Sequence, residues 1–133
     1  LISTALTGGI LAWVLYEAFL PRLDRLQLSP RLSASLTANA LHPIHNGAED
    51  IALLGYNEPS AIFLIGTGTR ISTPESAAAW LREQPGRVAA VESRYREAFL
   101  REMRGTQLRE IAVLDGYNYS NAIDVVVTLY ISE

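Results

Sequence analysis

Residues 50–70, DIALLGYNEPSAIFLIGTGTR, constrain the fold of this 133-residue chain more than any other stretch. Ile51, Ala52, Leu53 and Leu54 form a short unbroken apolar run between turn formers, the pattern of a buried strand. Gly55-Tyr56-Asn57-Glu58 closes the run with a polar cluster. Pro59 then fixes φ where a helix can begin, with Asn57 or Glu58 in place to cap it. The apolar stretch over 60–65 stops at Gly66-Thr67-Gly68-Thr69. In an open α/β sheet, ligands bind in the crevice at the carboxyl ends of the strands. A site in this chain is therefore expected around Tyr56, Asn57, Glu58 and Ser60.

The pattern then repeats. Arg70-Ile71-Ser72 reads as a short strand, and Thr73-Pro74-Glu75 opens a helix with Ala77, Trp80 and Leu81 on one face, stopped by Pro85-Gly86. Residues 87–92 (RVAAVE) form a second buried-strand candidate. Ser93 caps a helix in which Tyr95, Phe99 and Met103 recur four apart, and Gly105 ends it. This β-α-β-α-β-α rhythm belongs to a mainly parallel sheet covered by helices. Two further strands, over 108–114 and 123–132, flank a turn-rich stretch running from Asp115 to Asn121. They predict an antiparallel hairpin closing one edge. The expected fold is an α/β three-layer sandwich over residues 50–133, with a mainly parallel sheet and a C-terminal antiparallel hairpin.

Upstream the character changes. Residues 1–20, LISTALTGGILAWVLYEAFL, carry Glu17 as their only charge. As a helix they would rise ~30 Å, enough to span a bilayer's hydrocarbon core. Trp13, Tyr16 and Phe19 gather toward the end, as aromatic residues do at a membrane interface. The high hydrophobic content, 49%, agrees with a membrane segment. The segment is expected to be a transmembrane helix preceding the α/β domain. The alternative is a buried amphipathic helix presenting Leu6, Ile10, Trp13 and Val14. Pro21 ends it, and Arg22-Leu23-Asp24-Arg25 is polar enough for a headgroup surface. Ser29-Pro30 predicts the start of a helix reaching about Ala40, with Leu32 and Leu36 as a thin apolar stripe. Residues 21–49 are thus expected to be a connecting helix and loop, and a chain starting at Leu1 is expected to be the tail of something longer.

Composition excludes several chemistries. A net charge of −3 offers no electrostatic case for nucleic-acid binding. All 11 basic residues are arginine, so no lysine is present to form a Schiff base. With no cysteine, disulfides, thiol catalysis and thiolate metal sites are excluded. His42 and His45 have metal-ligand spacing, but Pro43 between them argues against the helix that would make them converge, and a solvated loop is expected. Glu58 and Asp115, both near strand ends, would be the candidate acid/base pair; unpaired in sequence, each is expected to be a cap or turn residue. Gly66-Thr67-Gly68-Thr69 lacks the lysine and helix of a phosphate-binding loop. Asn118-Tyr119-Ser120 matches a glycosylation sequon, a weak pattern. No catalytic residue, metal site or cofactor is expected within this chain.

Several motifs carry a resemblance. A hydrophobic segment is followed by Leu20-Pro21 and Leu28-Ser29-Pro30-Arg31. Then come Gly55-Tyr56-Asn57-Glu58-Pro59-Ser60 with Phe63-Leu64-Ile65-Gly66-Thr67, and finally Gly116-Tyr117-Asn118-Tyr119-Ser120 before a last strand. This resembles the C-terminal region of bacterial polyprenyl-phosphate-sugar-dependent glycosyltransferases of the protein mannosyltransferase and aminoarabinose transferase superfamily. The resemblance implies an integral enzyme of the cytoplasmic membrane that moves a sugar from a lipid-phosphate carrier to a lipid, glycan or protein acceptor. The catalytic acid of such enzymes lies in an early loop of the membrane domain, outside this stretch. It further implies that the α/β domain is periplasmic and packs over the rest of its own membrane domain. Its partners there would be membrane lipid and the polyprenyl-phosphate-linked sugar. Tyr56, Asn57, Glu58, Ser60, Tyr117 and Asn118 would then form a substrate-facing or interdomain rim, with capping and hydrogen bonding as the plainer role. The rival expectation is a membrane-anchored periplasmic module that binds a ligand or protein and has no catalytic activity.

Overall fold

The computed structural model describes residues 8, 9, 12–14, 16, 17, 27–118 and 121–133. The described residues before Gln27 are helical and exposed. Among the described residues no helix is long and apolar enough to cross a membrane. Most of residues 1–20, on which the expected transmembrane helix rests, lies outside the described residues.

From Leu28 on the chain is a mixed α/β fold. The elements are α1 (Leu28–Ala38), α2 (Pro43–Asn46), β1 (Ala52–Leu54), α3 (Pro59–Ile65), β2 (Arg70–Ile71), α4 (Pro74–Glu83), β3 (Val88–Glu92), α5 (Ser93–Glu102), β4 (Leu108–Asn118) and β5 (Ile123–Ser132). They build one five-stranded sheet in the order β2-β1-β3-β5-β4. β1 pairs in parallel with β2 and with β3, Ala52 standing opposite Arg70 on one side and Ala89 on the other. β5 pairs antiparallel with β3, with Ala90 opposite Leu129. The parallel part is thus confined to three short strands, while the two longest strands pair antiparallel. Asp115, Gly116, Tyr117 and Asn118, expected in the turn, instead continue β4 opposite Val126, Val125, Asp124 and Ile123. Turn-forming side chains did not end the strand, because each still has a ladder partner on β5.

Strand alternation sends side chains to two separate clusters. Ile51, Leu53, Val88, Ala90, Val127 and Leu129 point to one face, where Ala61 and Ile65 of α3 cover them. Ala52, Leu54, Ala89, Val91 and Tyr130 point to the other, against Ala77, Ala78 and Leu81 of α4 and Phe99 of α5. α1 does more than connect. Its Leu28, Leu32 and Leu36 are fully buried in the first cluster, each worth ~1.5–3 kcal/mol of apolar transfer. The spacing of four that looked like a thin stripe suffices, because it packs α1 into the groove between α3 and β4.

Local detail follows side-chain chemistry. Thr73 and Ser76 exchange side-chain-to-backbone bonds in a capping box that starts α4. Ser29 does not cap α1; it is the second residue of the helix, buried, with its hydroxyl turned across to Tyr56 and to Ser60 of α3. Glu58 occupies the N-cap position of α3 but makes no side-chain cap bond. The expected loop at 42–47 contains a one-turn helix, since Pro43 sits at N1, where its missing N–H costs nothing. At the amino-terminal edge of the parallel strands, the guanidinium groups of Arg70, at 4.0 Å, and Arg87, at 3.3 Å, lie over the Trp80 ring.

Candidate functional site

The opposite edge, where the parallel strands end, leaves space. The chain leaves β1 for α3 on one face of the sheet and leaves β3 for α5 on the other. Adjacent strands whose connections diverge in this way open a crevice at the switch point. The β4–β5 hairpin raises a wall beside it: β3 ends at Glu92 opposite Val127, whereas the hairpin ladder continues to Asn118 opposite Ile123. The crevice holds about 380 Å³. Asn57 lines it from the loop after β1, Ser72 and Thr73 from the end of β2, Arg94 and Tyr95 from the start of α5, and Asn121 from the hairpin.

Gly55 shapes its floor. Its φ of +88° is left-handed, and a Cβ there would come within 2.6 Å of the Tyr95 ring and 2.8 Å of the Glu92 Cβ. Only glycine lets the β1 loop lie against the start of α5. Glu92 is itself fully buried at the end of β3. Its two carboxylate oxygens accept from Nε and Nη2 of Arg94, the second at 3.1 Å. This is a forked, charge-assisted pair. The bond to Glu92 raises the Arg94 pKa above its ordinary value, so the cation is permanent and faces the crevice with its charge already matched. A smaller hollow of about 230 Å³ lies beside it, lined by Ser93, Asp115, Gly116 and Asp124.

The six residues expected at the rim divide. Asn57 lines the crevice and is exposed. Tyr56 is buried in the core, its hydroxyl 2.8 Å from the Ser29 Oγ, which lies a further 2.8 Å from the Ser60 Oγ. This hydroxyl chain ties α1 to α3. Glu58 is buried at the head of α3. Tyr117 is half-buried on β4, and Asn118 is buried with its Oδ1 accepting from the Asn121 backbone N–H. Asn118 therefore works as a hairpin clamp. Asp115 is exposed on β4, where Arg31 reaches both its carbonyl at 2.6 Å and its carboxylate at 3.4 Å.

The other motifs resolve structurally. Among the described residues no group of three metal-ligating side chains forms. His42 is buried, and its Nδ1 accepts from the backbone N–H groups of Ile44 and His45. The Nε2 must then carry the ring proton, and it lies 2.8 Å from the Ser33 Oγ. Burial, reinforced by His45, lowers the His42 pKa below its usual value. At Gly66–Thr69 the turn closes on itself through Thr69, and the Asp50 carboxylate lies over Gly68, where an anion would be repelled.

Sequence reasoning missed Ser72, Thr73, Arg94, Tyr95 and Asn121. A signal for four of them was present: each lies at, or within three residues of, the end of a predicted strand whose carboxyl end meets the crevice. Asn121 required the hairpin's length. The assembled groups offer amides, hydroxyls and one neutralised guanidinium, a lining suited to hydrogen-bonding a polar, hydroxyl-bearing ligand. Compared with family models, curated proteins and solved structures, the chain finds no match.

Proposed function

We propose that this chain is the accessory α/β region of a membrane glycosyltransferase that uses a polyprenyl-phosphate-linked sugar. It is carried behind a membrane-spanning segment at residues 1–20, on the periplasmic side. In this reading the helices on both faces make a three-layer domain. Its switch-point crevice helps to admit or hold a sugar or acceptor, while the chemistry is done elsewhere in the enzyme. The observation that carries the reading is the crevice's lining. Asn57, Ser72 and Asn121 supply neutral donors and acceptors, and its adjoining carboxylate, Glu92, is held by Arg94. Such groups hold hydroxyls; they do not activate one. The test has two arms. Reading the gene upstream of Leu1 should reveal further hydrophobic spans and an acidic residue in an early large loop. In the full-length enzyme, Asn57→Ala with Arg94→Ala should raise KM for the sugar carrier or acceptor. Normal kinetics in a normally expressed variant, or an upstream frame without spans, would overturn the reading.

A second reading, an anchored binding module without an enzymatic parent, is favoured by the crevice being lined wholly from this chain. It predicts that free mono- or disaccharides raise the melting temperature of the 133-residue chain. The absence of any shift at high millimolar sugar would remove it.

A further inference from the structure

The two helical faces of the sheet have opposite chemistry. α4 and α5 carry three and five charged residues respectively, an ordinary solvated surface. On the other face, residues 32–48 contain no ionisable side chain except His42 and His45, and residues 51–69 carry no charge except Glu58. His42 and Glu58 are buried. Against this uncharged ground Phe63 is 82% exposed and Ile44 59% exposed. Pro30, Ala34 and Ala38 of α1 and Leu64 of α3 line an open apolar hollow of about 650 Å³ on the same face. A phenylalanine so exposed beside an apolar hollow marks a contact surface.

We propose that the α1–α3 face rests on the lipid bilayer, with Phe63 and Ile44 entering the boundary between headgroups and acyl chains. The proposal depends on residues 1–20 spanning the membrane. Three observations select lipid as the occupant. First, α1 begins within seven residues of that segment's end, so the chain between them reaches at most ~25 Å. From Leu32 onward α1 is itself part of the uncharged face, and its one charge, Arg31, is turned to Asp115 of β4, which places that face nearest the anchor. Second, Arg22 and Arg25 lie in the sequence between the apolar segment and α1, the position at which guanidinium groups meet lipid phosphates. Third, a bilayer interface asks only for protruding apolar side chains on an uncharged ground, with the charges turned away from it. The charges of α4 and α5 lie on the opposite side of the sheet.

The chain contains no cysteine, so single labels can be placed without background. Phe63→Cys, Ile44→Cys and Glu97→Cys, the last on α5 with its side chain 88% exposed, each take a nitrobenzoxadiazole label in the full 133-residue chain. The labelled proteins are reconstituted into vesicles of phosphatidylcholine and phosphatidylglycerol, with or without nitroxide-bearing lipid. All three positions are on the surface, and circular dichroism verifies that each variant folds. The expected result is a blue shift at 63 and 44, with severalfold stronger nitroxide quenching there than at 97. The proposal is overturned if the three labels behave alike. It is equally overturned if 63 and 44 shift without lipid quenching, which would assign the face to a second copy or another protein. If the chain fails to float with the vesicles, the membrane-span reading itself falls, an outcome distinct from flotation with unquenched labels.

Discussion

Replacing Gly55 by alanine tests the construction of the crevice directly, and Gly86 provides an internal reference. Both glycines have φ near +88°, but a Cβ at Gly86 meets nothing within 4 Å, whereas at Gly55 it meets the Tyr95 ring and the Glu92 Cβ. Gly86→Ala should therefore cost only the left-handed strain of an L-residue, ~1–2 kcal/mol. Gly55→Ala carries the same strain plus overpacking of ~1–3 kcal/mol, for a combined loss of roughly 2–5 kcal/mol. The Tyr95 ring is on the surface side and can swing aside, but the Glu92 Cβ is fixed to the β3 backbone, so the crowding persists. In urea titrations followed by circular dichroism, a slope of ~1–3 kcal/mol per molar makes an extra 2 kcal/mol a midpoint difference of about 1 M. Equal midpoints for the two variants would refute the argument that the β1 loop and α5 meet through a glycine.

Leu32→Ala should destabilise the fold by ~2–5 kcal/mol, because the side chain is fully buried against the sheet; a loss below about 1 kcal/mol would show that α1 merely links. Ser29→Ala should cost ~1–3 kcal/mol by breaking the hydroxyl chain to Tyr56 and Ser60, and a double-mutant cycle with Ser60→Ala should show coupling between them. The lowered His42 pKa has a definite sign. Below its ordinary value of 6.5 the unfolded chain binds the proton more readily than the folded one. Stability contributed by neutral His42 is complete above that pH and is lost as pH falls through the lowered folded value, at up to ~1.4 kcal/mol per unit. Denaturant midpoints between pH 7 and 5 should fall in the wild type and flatten in His42→Gln, whose ring-free side chain cannot titrate.

Much of the fold was legible because its signals are local. The apolar run at 51–54, the Thr73-Pro74 start and the spacing of Phe99 and Met103 reflect periodicities of 2 and 3.6 that each element must satisfy by itself. The β-α-β-α-β-α rhythm and the terminal hairpin followed from them. The end of β4 did not, since Asp115 to Asn118 have the composition of a turn and are held in a strand only by partners on β5. The status of α1 was equally hidden: three leucines at intervals of four fit a weak surface helix or a packed one, and the sheet decides between them.

The sequence by itself determined the type and order of the elements with strong periodicity and the absence of cysteine and lysine chemistry, because these depend on neighbours a few residues apart or on composition alone. Tertiary structure decided which polar groups face the crevice. Tyr56 and Asn57 are adjacent in the chain, yet one is buried against Ser29 and the other is exposed beside Arg94. The hydroxyl chain from α1 holds Tyr56 in the core, while Asn57 stays at the crevice. Arg94, Ser72 and Asn121 meet only because three strand ends and a hairpin tip converge at the switch point. That convergence is a property of strand order, which no local pattern records.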